Sequence, residues 1–420
     1  MSHELHRTID AVWRIESARI IAAVARIVRD VGVAEELAQD ALVAALEHWP
    51  GEGIPANPAA WLMTTARNRA LDRIRQAALH RRKQEELGAE IDARGEHLTA
   101  DASESVDEHE IGDDLLRLMF TACHPVLSRE AQVALTLKLL AGLTTAEIAR
   151  AFLQSESTIA QRIVRAKRTL SDANVPFEVP RGPELESRLG VVLEVIYLIF
   201  NEGYTATSGA DWLRPALCEE AMRLARMLAQ LAPAQREVHG LIALLELQAS
   251  RLRTRTDAGG RPILLLQQDR ARWDWLLIGR ALAALEHARA LSGSPGPYEL
   301  QAMIAACHGR ARTAEQTDWR AMVQAYDALA AVMPSPVVAL NRAVAVSMAD
   351  GPAAALPLVE SLASEGSLDD YHLLPAVRGD LLNKLGRPSE ARAQFELAAS
   401  LAQNQRERDL MLERARATLS

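Results

Sequence analysis

Polar and basic side chains recur at helical spacing in one segment, where they could form hydrogen bonds with the edges of DNA bases. Along residues 155–170, apolar residues follow one another at steps of 4, 3 and 4, which predicts the inward stripe of a helix. This stripe consists of Ile159, Ile163, Ala166 and Leu170. The opposite face presents the candidate DNA contacts Thr158, Gln161, Arg162, Arg165 and Arg168. In the major groove, arginine and glutamine can pair with base edges and other cations can hold phosphates.

A shorter helix is predicted immediately before this face. Thr144 or Thr145 can cap it, and Glu147 is placed to complete a capping box. Its inward residues are expected to be Ile148, Ala149 and Phe152. Ser155 can cap the second helix, so residues 143–170 predict a helix-turn-helix with a recognition helix. The alternative is a core helix with a solvated basic face. This pattern by itself predicts DNA binding and nothing narrower.

A second candidate surface lies in residues 33–49, which predict an amphipathic helix. Its polar face is largely acidic and consists of Glu36, Gln39, Asp40 and Glu47. The residues expected behind this face are Leu37, Ala41 and Ala44. An acidic face suits a basic partner protein better than DNA, because opposite charges attract across an interface. A face that is merely solvated is the alternative.

A third candidate surface follows in residues 60–75. Asn57 can cap this helix, and Pro58 suits its first position. We expect Trp61 and Leu62 to pack inward, although Trp61 could also serve as a stacking platform for a base. The other candidate contacts to phosphates and bases are Arg67, Asn68, Arg69, Arg73 and Arg75.

Residues 33–49 and 60–75 resemble region 2 of the sigma-70 family, and more narrowly of its extracytoplasmic function (ECF) subfamily. The helix-turn-helix resembles region 4 of the same family. The order of the two regions, the short linker and the lack of a region 3 also fit the ECF subfamily. The resemblance implies a promoter-specificity subunit that binds core RNA polymerase and promoter DNA to direct transcription initiation, and not an enzyme.

The resemblance also implies a role for each surface. The acidic face of residues 33–49 would dock on the polymerase clamp coiled coil. The loop 50–57 and the helix that includes Trp61 and the basic residues would engage the minus-10 element, with one base extruded from the strand. The recognition helix would read the minus-35 element. Asp72 stands where the family has an acidic residue.

Composition predicts an all-α fold. Hydrophobic residues make up 49% of the 420 residues and aromatic residues only 4%, and alanine and leucine dominate the apolar set. This length exceeds one ordinary domain. The net charge of −8 argues against a protein that coats nucleic acid by bulk electrostatics. We therefore expect two small helical sigma domains and a large helical C-terminal domain.

Four segments differ in composition and periodicity. We expect region 2 at residues 5–83, an acidic linker at 84–113, region 4 at 114–173 and a regulatory extension at 184–420. In the family that the chain resembles, this linker threads the polymerase active-site cleft and RNA exit channel, where its acidic residues mimic nucleic acid. An ordinary solvated tether is the alternative.

The extension has small and apolar residues at the spacing of tetratricopeptide repeats (TPR). One set is Gly379, Leu382, Ala391, Phe395 and Ala398, and the preceding set is Ala343, Val346, Ala355, Val359 and Leu362. Ala355 and Ala391 are 36 residues apart, which is close to the expected period. An alanine-rich bundle with chance spacing is the alternative.

Further sequence segments in the extension resemble those of a subgroup of ECF sigma factors that have a long TPR-like C-terminal extension. They lie at residues 198–204, 267–274, 296–301, 317–319 and 334–343. Our hypothesis is that the extension replaces the usual anti-sigma partner and controls activity in cis. Stacked helix pairs form concave surfaces that can hold an unknown ligand or protein.

The remaining observations favour no catalytic or metal site. Cys123, Cys218 and Cys307 are widely separated, which predicts neither a disulfide framework nor a zinc ribbon. His124 and His308 each follow a cysteine, but such a pair has too few ligands for a tetrahedral metal site. We expect no cofactor, no metal and a cytoplasmic protein without a membrane span, since the N-terminus has no apolar h-region. A stand-alone helix-turn-helix regulator with a TPR-like sensor domain is the competing interpretation.

Overall fold

The computed structural model describes residues 2–88, 108–152, 154–205, 213–257, 259, 261–402 and 405–418. Within these ranges the chain consists of α-helices and short 3-10 turns, together with one isolated β-bridge between Thr256 and Pro262. The predicted all-α fold is confirmed. The chain divides into two compact units, Met1–Val195 and Ile196–Ser420. Over the described ranges, no helix combines the length and the apolar character needed to cross a membrane.

The N-terminal unit begins with three helices that pack on one another. They are α1 (Ser2–Val28), α2 (Val31–Glu52) and α3 (Pro58–Gly88). Alanine-rich faces let these helices approach closely: Ala22 and Ala25 of α1 and Ala38 of α2 are fully buried. Asp30 caps α2 by accepting a hydrogen bond from the backbone N–H of Val33 at 2.9 Å.

Four further helices complete most of this unit, and α4 packs against α1. They are α4 (Glu108–Ala122), α5 (Arg129–Leu139), α6 (Thr145–Ala151) and α7 (Glu156–Asp172). The predicted acidic linker is shorter than residues 84–113, because α3 continues to Gly88 and α4 starts at Glu108. Residues 89–107 of that linker lie outside the described residues.

The next helix, α8 (Pro183–Tyr204), begins in the N-terminal unit. Arg188 is buried there and donates a hydrogen bond of 2.8 Å to the backbone carbonyl of Phe120. Glu194 forms an ion pair with Arg129 at 2.5 Å. The first half of α8 therefore belongs to the core and surface of the N-terminal unit, although the sequence suggested an extension from residue 184.

The C-terminal unit continues with ten helices over its described residues, and consecutive helices pack on one another. They are α9 (Pro215–Leu231), α10 (Arg236–Ala249), α11 (Trp275–Ala290), α12 (Pro297–Arg310), α13 (Trp319–Val332), α14 (Pro336–Asp350), α15 (Pro352–Glu365), α16 (Leu373–Lys384), α17 (Pro388–Leu401) and α18 (Gln405–Ala417). Five of these helices, α9, α12, α14, α15 and α17, have proline in the first turn, where the missing N–H group costs no hydrogen bond.

The two TPR-like sets of small and apolar residues lie in one hydrophobic core that joins α14 to α18. Gly379 of α16 is buried against α17. A Cβ atom at Gly379 would lie 2.9 Å from the Phe395 ring and 3.2 Å from the Ala391 carbonyl oxygen. The small residue is thus required by the close approach of two paired helices, as the repeat pattern predicted.

Residues 267–274 form contacts that hold the segment before α11 in place. Arg270 is buried and donates to the carbonyl oxygens of His308 at 3.2 Å and Ala311 at 3.1 Å, and to the Thr317 hydroxyl at 2.9 Å. Asp274 caps α11 through the backbone N–H groups of residues 276 and 277. These contacts fasten the irregular segment before α11 to the turn after α12.

Candidate nucleic-acid and protein-binding surfaces

The helix-turn-helix forms from the caps that the sequence predicted. Thr144 accepts a hydrogen bond from the Glu147 N–H at 3.2 Å, and the Glu147 carboxylate accepts from the Thr144 N–H at 2.8 Å. This is a complete capping box. Ser155 starts α7 by accepting from the Thr158 N–H at 3.1 Å. Both helix starts are therefore fixed by local side-chain chemistry.

The inward stripe of α7 is buried as predicted, at Ile159, Ile163, Ala166 and Leu170. In α6, Ile148 and Ala149 are buried, while Phe152 at its end is half-buried. Burial of this apolar stripe fixes the rotation of α7 about its axis. The rotation in turn decides which side chains point to solvent.

The outward face of α7 carries the candidate minus-35 contacts. Thr158, Gln161, Arg165 and Arg168 are exposed, and Arg162 is half-buried. Arg168 pairs with Asp172 at 3.5 Å on the same helix. Arg165 forms no ion pair with any described residue. The hydrogen-bond donors and positive charges of this face are accessible, so they could contact a DNA groove without the loss of buried contacts.

The acidic face of α2 is also exposed. Glu36, Gln39, Asp40 and Glu47 point to solvent, whereas Leu37, Ala41 and Ala44 are buried behind them. Val43 lies among these polar residues and leaves 50% of its surface exposed. An apolar residue in the centre of a charged face is a common arrangement in protein–protein interfaces. Val43 was not among the residues predicted for this face, although its helical spacing from Gln39 and Glu47 places it there.

The third surface begins where Asn57 caps α3 by accepting from the Ala60 N–H at 3.0 Å. Leu62 is fully buried. Trp61 is half-buried and lies edge-on to Trp49, with ring centroids 5.4 Å apart. Since α2 continues through Pro50 to Glu52, the loop before α3 is only residues 53–57. Trp61 thus packs on α2 while part of its ring stays accessible.

The basic residues of α3 differ in their surroundings. Asn68, Arg73 and Arg75 are exposed, and Arg75 pairs with Asp72 at 3.2 Å. Arg67 is half-buried, and its Nε atom is buried without a hydrogen-bond partner. Arg69 forms an ion pair of 3.5 Å with Asp40 of α2. The candidate minus-10 surface and the acidic face are therefore neighbours, joined by one ion pair.

The segments that carry these three surfaces match two models of one family. The sigma-70 region 2 model matches residues 14–79, and the sigma-70 region 4 model matches residues 117–170. The probable ECF RNA polymerase sigma factor SigI of Mycobacterium tuberculosis is 26% identical over 41% of this chain and 58% of its own length. The ECF RNA polymerase sigma factor SigK of Mycobacterium ulcerans is 30% identical over 36% of this chain and 78% of its own length. The chain belongs to the ECF sigma factors of the sigma-70 family.

This ECF sigma factor has a C-terminal extension that also occurs in a long relative. Residues 188–289 match a family of unknown function (DUF6596). An uncharacterized protein of Rhizobium meliloti, R00370, is 44% identical over 91% of this chain and 89% of its own length. A tetratricopeptide repeat protein from Parabacteroides merdae covers 65% of this chain and 97% of its own length, at 13% identity and a TM-score of 0.34.

The cysteines of the ECF sigma factor are buried and unpaired. Burial raises the pKa of Cys123 to about 11 and that of Cys218 to about 12, and it also raises the pKa of Cys307. Burial, with the nearby cations Arg251 and Arg270, lowers the pKa of His308 to about 3. In the described parts of the chain, histidine, cysteine and acidic residues form no cluster of three or more that could hold a metal ion.

Proposed function

We propose that this ECF sigma factor binds core RNA polymerase through the acidic face of α2 and directs promoter-specific initiation. In this proposal α3 and the loop 53–57 engage the minus-10 element, and the outward face of α7 reads the minus-35 element. The observation that carries the proposal is that the segments matched to the sigma-70 family are also the segments with charged, exposed helix faces. The region 2 match contains one acidic and one basic exposed face, and the region 4 match contains a second basic face.

The acidic face is supported as the polymerase-binding surface by its charge and its apolar centre. Charge complementarity steers association and fixes register, and the half-exposed Val43 adds area that can be desolvated. Replacing Glu47 by lysine reverses one charge on this face without touching a buried residue. We expect Glu47→Lys to weaken binding to core polymerase about tenfold, mainly through the association rate and more strongly at low salt.

The matched control is Asp350→Lys, which replaces another exposed acidic residue, at the end of α14. It changes the net charge of the chain by the same amount. Equilibrium binding of labelled protein to core polymerase should therefore be unaffected by Asp350→Lys. Equal affinities for the two variants would contradict the role of the acidic face.

The extension is proposed to control activity in cis, because it is covalently joined to the promoter-reading unit. Removing residues 184–420 would also remove the first half of α8, including the buried Arg188, and would damage the N-terminal unit. Truncation after residue 205 preserves those contacts. We expect transcription from a cognate promoter to differ between this truncated protein and the full chain, and unchanged transcription would refute control in cis.

A stand-alone helix-turn-helix regulator, the competing interpretation of the sequence, would not need the matched region 2. It predicts that the purified chain retards duplex promoter DNA in a mobility-shift assay without polymerase. The sigma proposal predicts retardation only when core polymerase is present. The net charge of −8 favours the second outcome, since sequence-independent phosphate binding depends on positive charge.

A further inference from the structure

A groove of about 780 Å³ opens within the N-terminal unit. Residues from the end of α1, the start of α2, α4 and the last turns of α7 line it, and the segment 174–181 forms one wall. Five lining residues are cationic and two are acidic. The cations are Arg26, Arg29, Arg117, Lys167 and Arg181, and the acids are Asp30 and Glu178. The lining therefore carries an excess of positive charge, and a concave surface concentrates the field of such charges.

Three of these cations are already paired with buried carboxylates. Asp114 has a side chain that is 2% exposed, and it lies 3.2 Å from Arg26 and 2.5 Å from Arg117. Lys167 forms an ion pair with Glu35, whose side chain is 4% exposed. Arg26 and Arg117 still leave 37% and 31% of their side chains exposed. These ion pairs hold the walls of the groove in place, because a buried carboxylate is costly without its partners.

The other two cations, Arg29 and Arg181, have different surroundings. Both are exposed, and over the described ranges neither forms an ion pair. Arg29 lies between α1 and α2, and Arg181 lies between α7 and α8. Two arginines from separate segments thus converge on one concave surface. Their guanidinium groups are suited to bind the oxygens of an anion by charge-assisted hydrogen bonds.

The backbone at Arg29 supports a role for its side chain. Arg29 has a φ of 55°, in the left-handed region, and Asn174 on the opposite wall has a φ of 47°. Asparagine tolerates this conformation after a helix end, whereas at position 29 glycine would be the least strained residue. Residues with a strained backbone cluster at ligand sites. A side-chain contact with a ligand would offset the conformational cost of an arginine at this position.

The wall formed by the segment 174–181 is partly aromatic. Phe177 is half-buried and lines the groove beside Val175 and Pro176. An aromatic ring of this kind can stack on the flat face of a nucleobase. The volume of the groove falls in the range of sites for single small molecules. Its chemistry therefore combines phosphate-binding cations with a surface for a base.

The groove is distinct from the surfaces that are proposed to contact promoter DNA. On α7 it is lined by Lys167, Leu170 and Ser171. The candidate minus-35 contacts Gln161 and Arg165 do not belong to its lining. An occupied groove thus leaves those two side chains accessible.

We propose that this groove binds a small phosphorylated ligand of the nucleoside polyphosphate class. Arg29 and Arg181 hold the phosphates, Arg26 and Arg117 add positive charge beside them, and Phe177 stacks on the base. The proposal does not depend on the proposed function, because binding is measured on the full chain without polymerase or DNA.

The first test uses inorganic tripolyphosphate as the probe, titrated into the full chain by calorimetry at constant ionic strength. Arg29→Gln and Arg181→Gln should each weaken binding roughly tenfold, since each removes a charge-assisted contact. Both positions are exposed, so folding should be preserved. The control is Arg320→Gln, at an exposed position of α13, which removes the same charge and should leave the affinity unchanged. Absence of binding to the unsubstituted chain, or equal affinities of all four proteins, would overturn the site.

The second test concerns the base. ATP should bind more tightly than tripolyphosphate, and Phe177→Leu should weaken ATP binding roughly tenfold while leaving tripolyphosphate binding unchanged. Unchanged tripolyphosphate binding also shows that this variant still folds. An equal loss for both probes, or no loss for ATP, would overturn the nucleoside part of the proposal.

The third test separates a small ligand from nucleic acid, which also carries phosphates and bases. A short single-stranded oligonucleotide competes with tripolyphosphate in the same titration, compared with ATP at equal phosphate concentration. The proposal predicts that ATP is the better competitor. Stronger displacement by the oligonucleotide would overturn it in favour of a nucleic-acid contact. None of these results depends on transcription, so a failure of the sigma proposal would be seen separately.

Discussion

A close contact between two helices of the extension, α10 and α12, leads to a prediction about stability. Gly240 of α10 is packed against the first turn of α12, where an added Cβ atom would lie 2.6 Å from the backbone nitrogen of Glu299 and 2.8 Å from its Cα atom. Neither atom belongs to a flexible side chain that could move aside. Around this contact, Arg236 and Glu299 form a buried ion pair, and the Glu237 carboxylate accepts hydrogen bonds from the backbone N–H groups of Tyr298 and Glu299 at 2.9 and 3.1 Å.

Gly240→Ala is therefore expected to push α10 and α12 apart. Overpacking of a tight contact costs about 1–3 kcal/mol, and displacement of a buried ion pair adds to this cost. Alanine regains at most about 1 kcal/mol of helix propensity. The net loss should be about 2 kcal/mol. For a unit of this size that corresponds to a melting temperature about 4–8 °C lower.

The matched control is Gly279→Ala in α11, where an added Cβ atom would meet no other atom within 4 Å. There the same substitution should raise the stability of the extension by up to about 1 kcal/mol. Differential scanning calorimetry of both full-length variants would measure the two shifts. Equal shifts, or a higher melting temperature for Gly240→Ala than for the unsubstituted chain, would refute the close helix approach.

Three further predictions concern single side chains. If Arg165 pairs with a base, Arg165→Ala should weaken binding of the polymerase complex to promoter DNA by about 1–3 kcal/mol. If Arg165 holds a phosphate, the slope of log K against log salt concentration should become shallower by about 0.9. Unchanged affinity and slope would contradict both roles. Cys123 and Cys218 should react with a thiol reagent at pH 8 only after unfolding, because burial raises their pKa values to about 11 and about 12; rapid labelling of native protein at both positions would be inconsistent with this. The pKa of His308 is about 3 in the folded chain and near 6.5 in the unfolded chain. Between these pH values the unfolded state binds more protons than the folded state, so the free energy of unfolding falls as the pH is lowered from 6.5 towards 3. Denaturant titrations at pH 7 and pH 5 should show this loss, up to about 1.4 kcal/mol per pH unit, and a smaller loss in His308→Gln; identical pH dependence of the two proteins would refute the assignment.

The features that could be predicted from the sequence are those fixed by neighbouring residues. Ser155, Thr144 with Glu147, and Asn57 all cap helices as expected, because a cap and its target N–H group are three residues apart. The buried stripe of α7 follows from helical periodicity alone. The roles of individual side chains at promoter and polymerase remain predictions.

The features that the sequence did not reveal depend on distant residues. Glu35 looks like any acidic residue of an amphipathic helix, yet its cationic partners lie more than a hundred positions away, at Lys138 and Lys167. The division between the two units falls inside α8, since a single helix can contribute to two cores. Trp61 was expected in the core but is half-buried, with its ring in a T-shaped contact with Trp49 at a centroid distance of 5.4 Å.

Run-off transcription tests the central claim most directly. Core polymerase would be combined with the full chain on a fragment from upstream of its own coding sequence, with core polymerase alone as the baseline. The sigma assignment predicts a defined transcript that depends on the protein and decreases with Glu47→Lys and with Arg165→Ala. Absence of any protein-dependent transcript, together with failure to bind core polymerase in a pull-down, would contradict it.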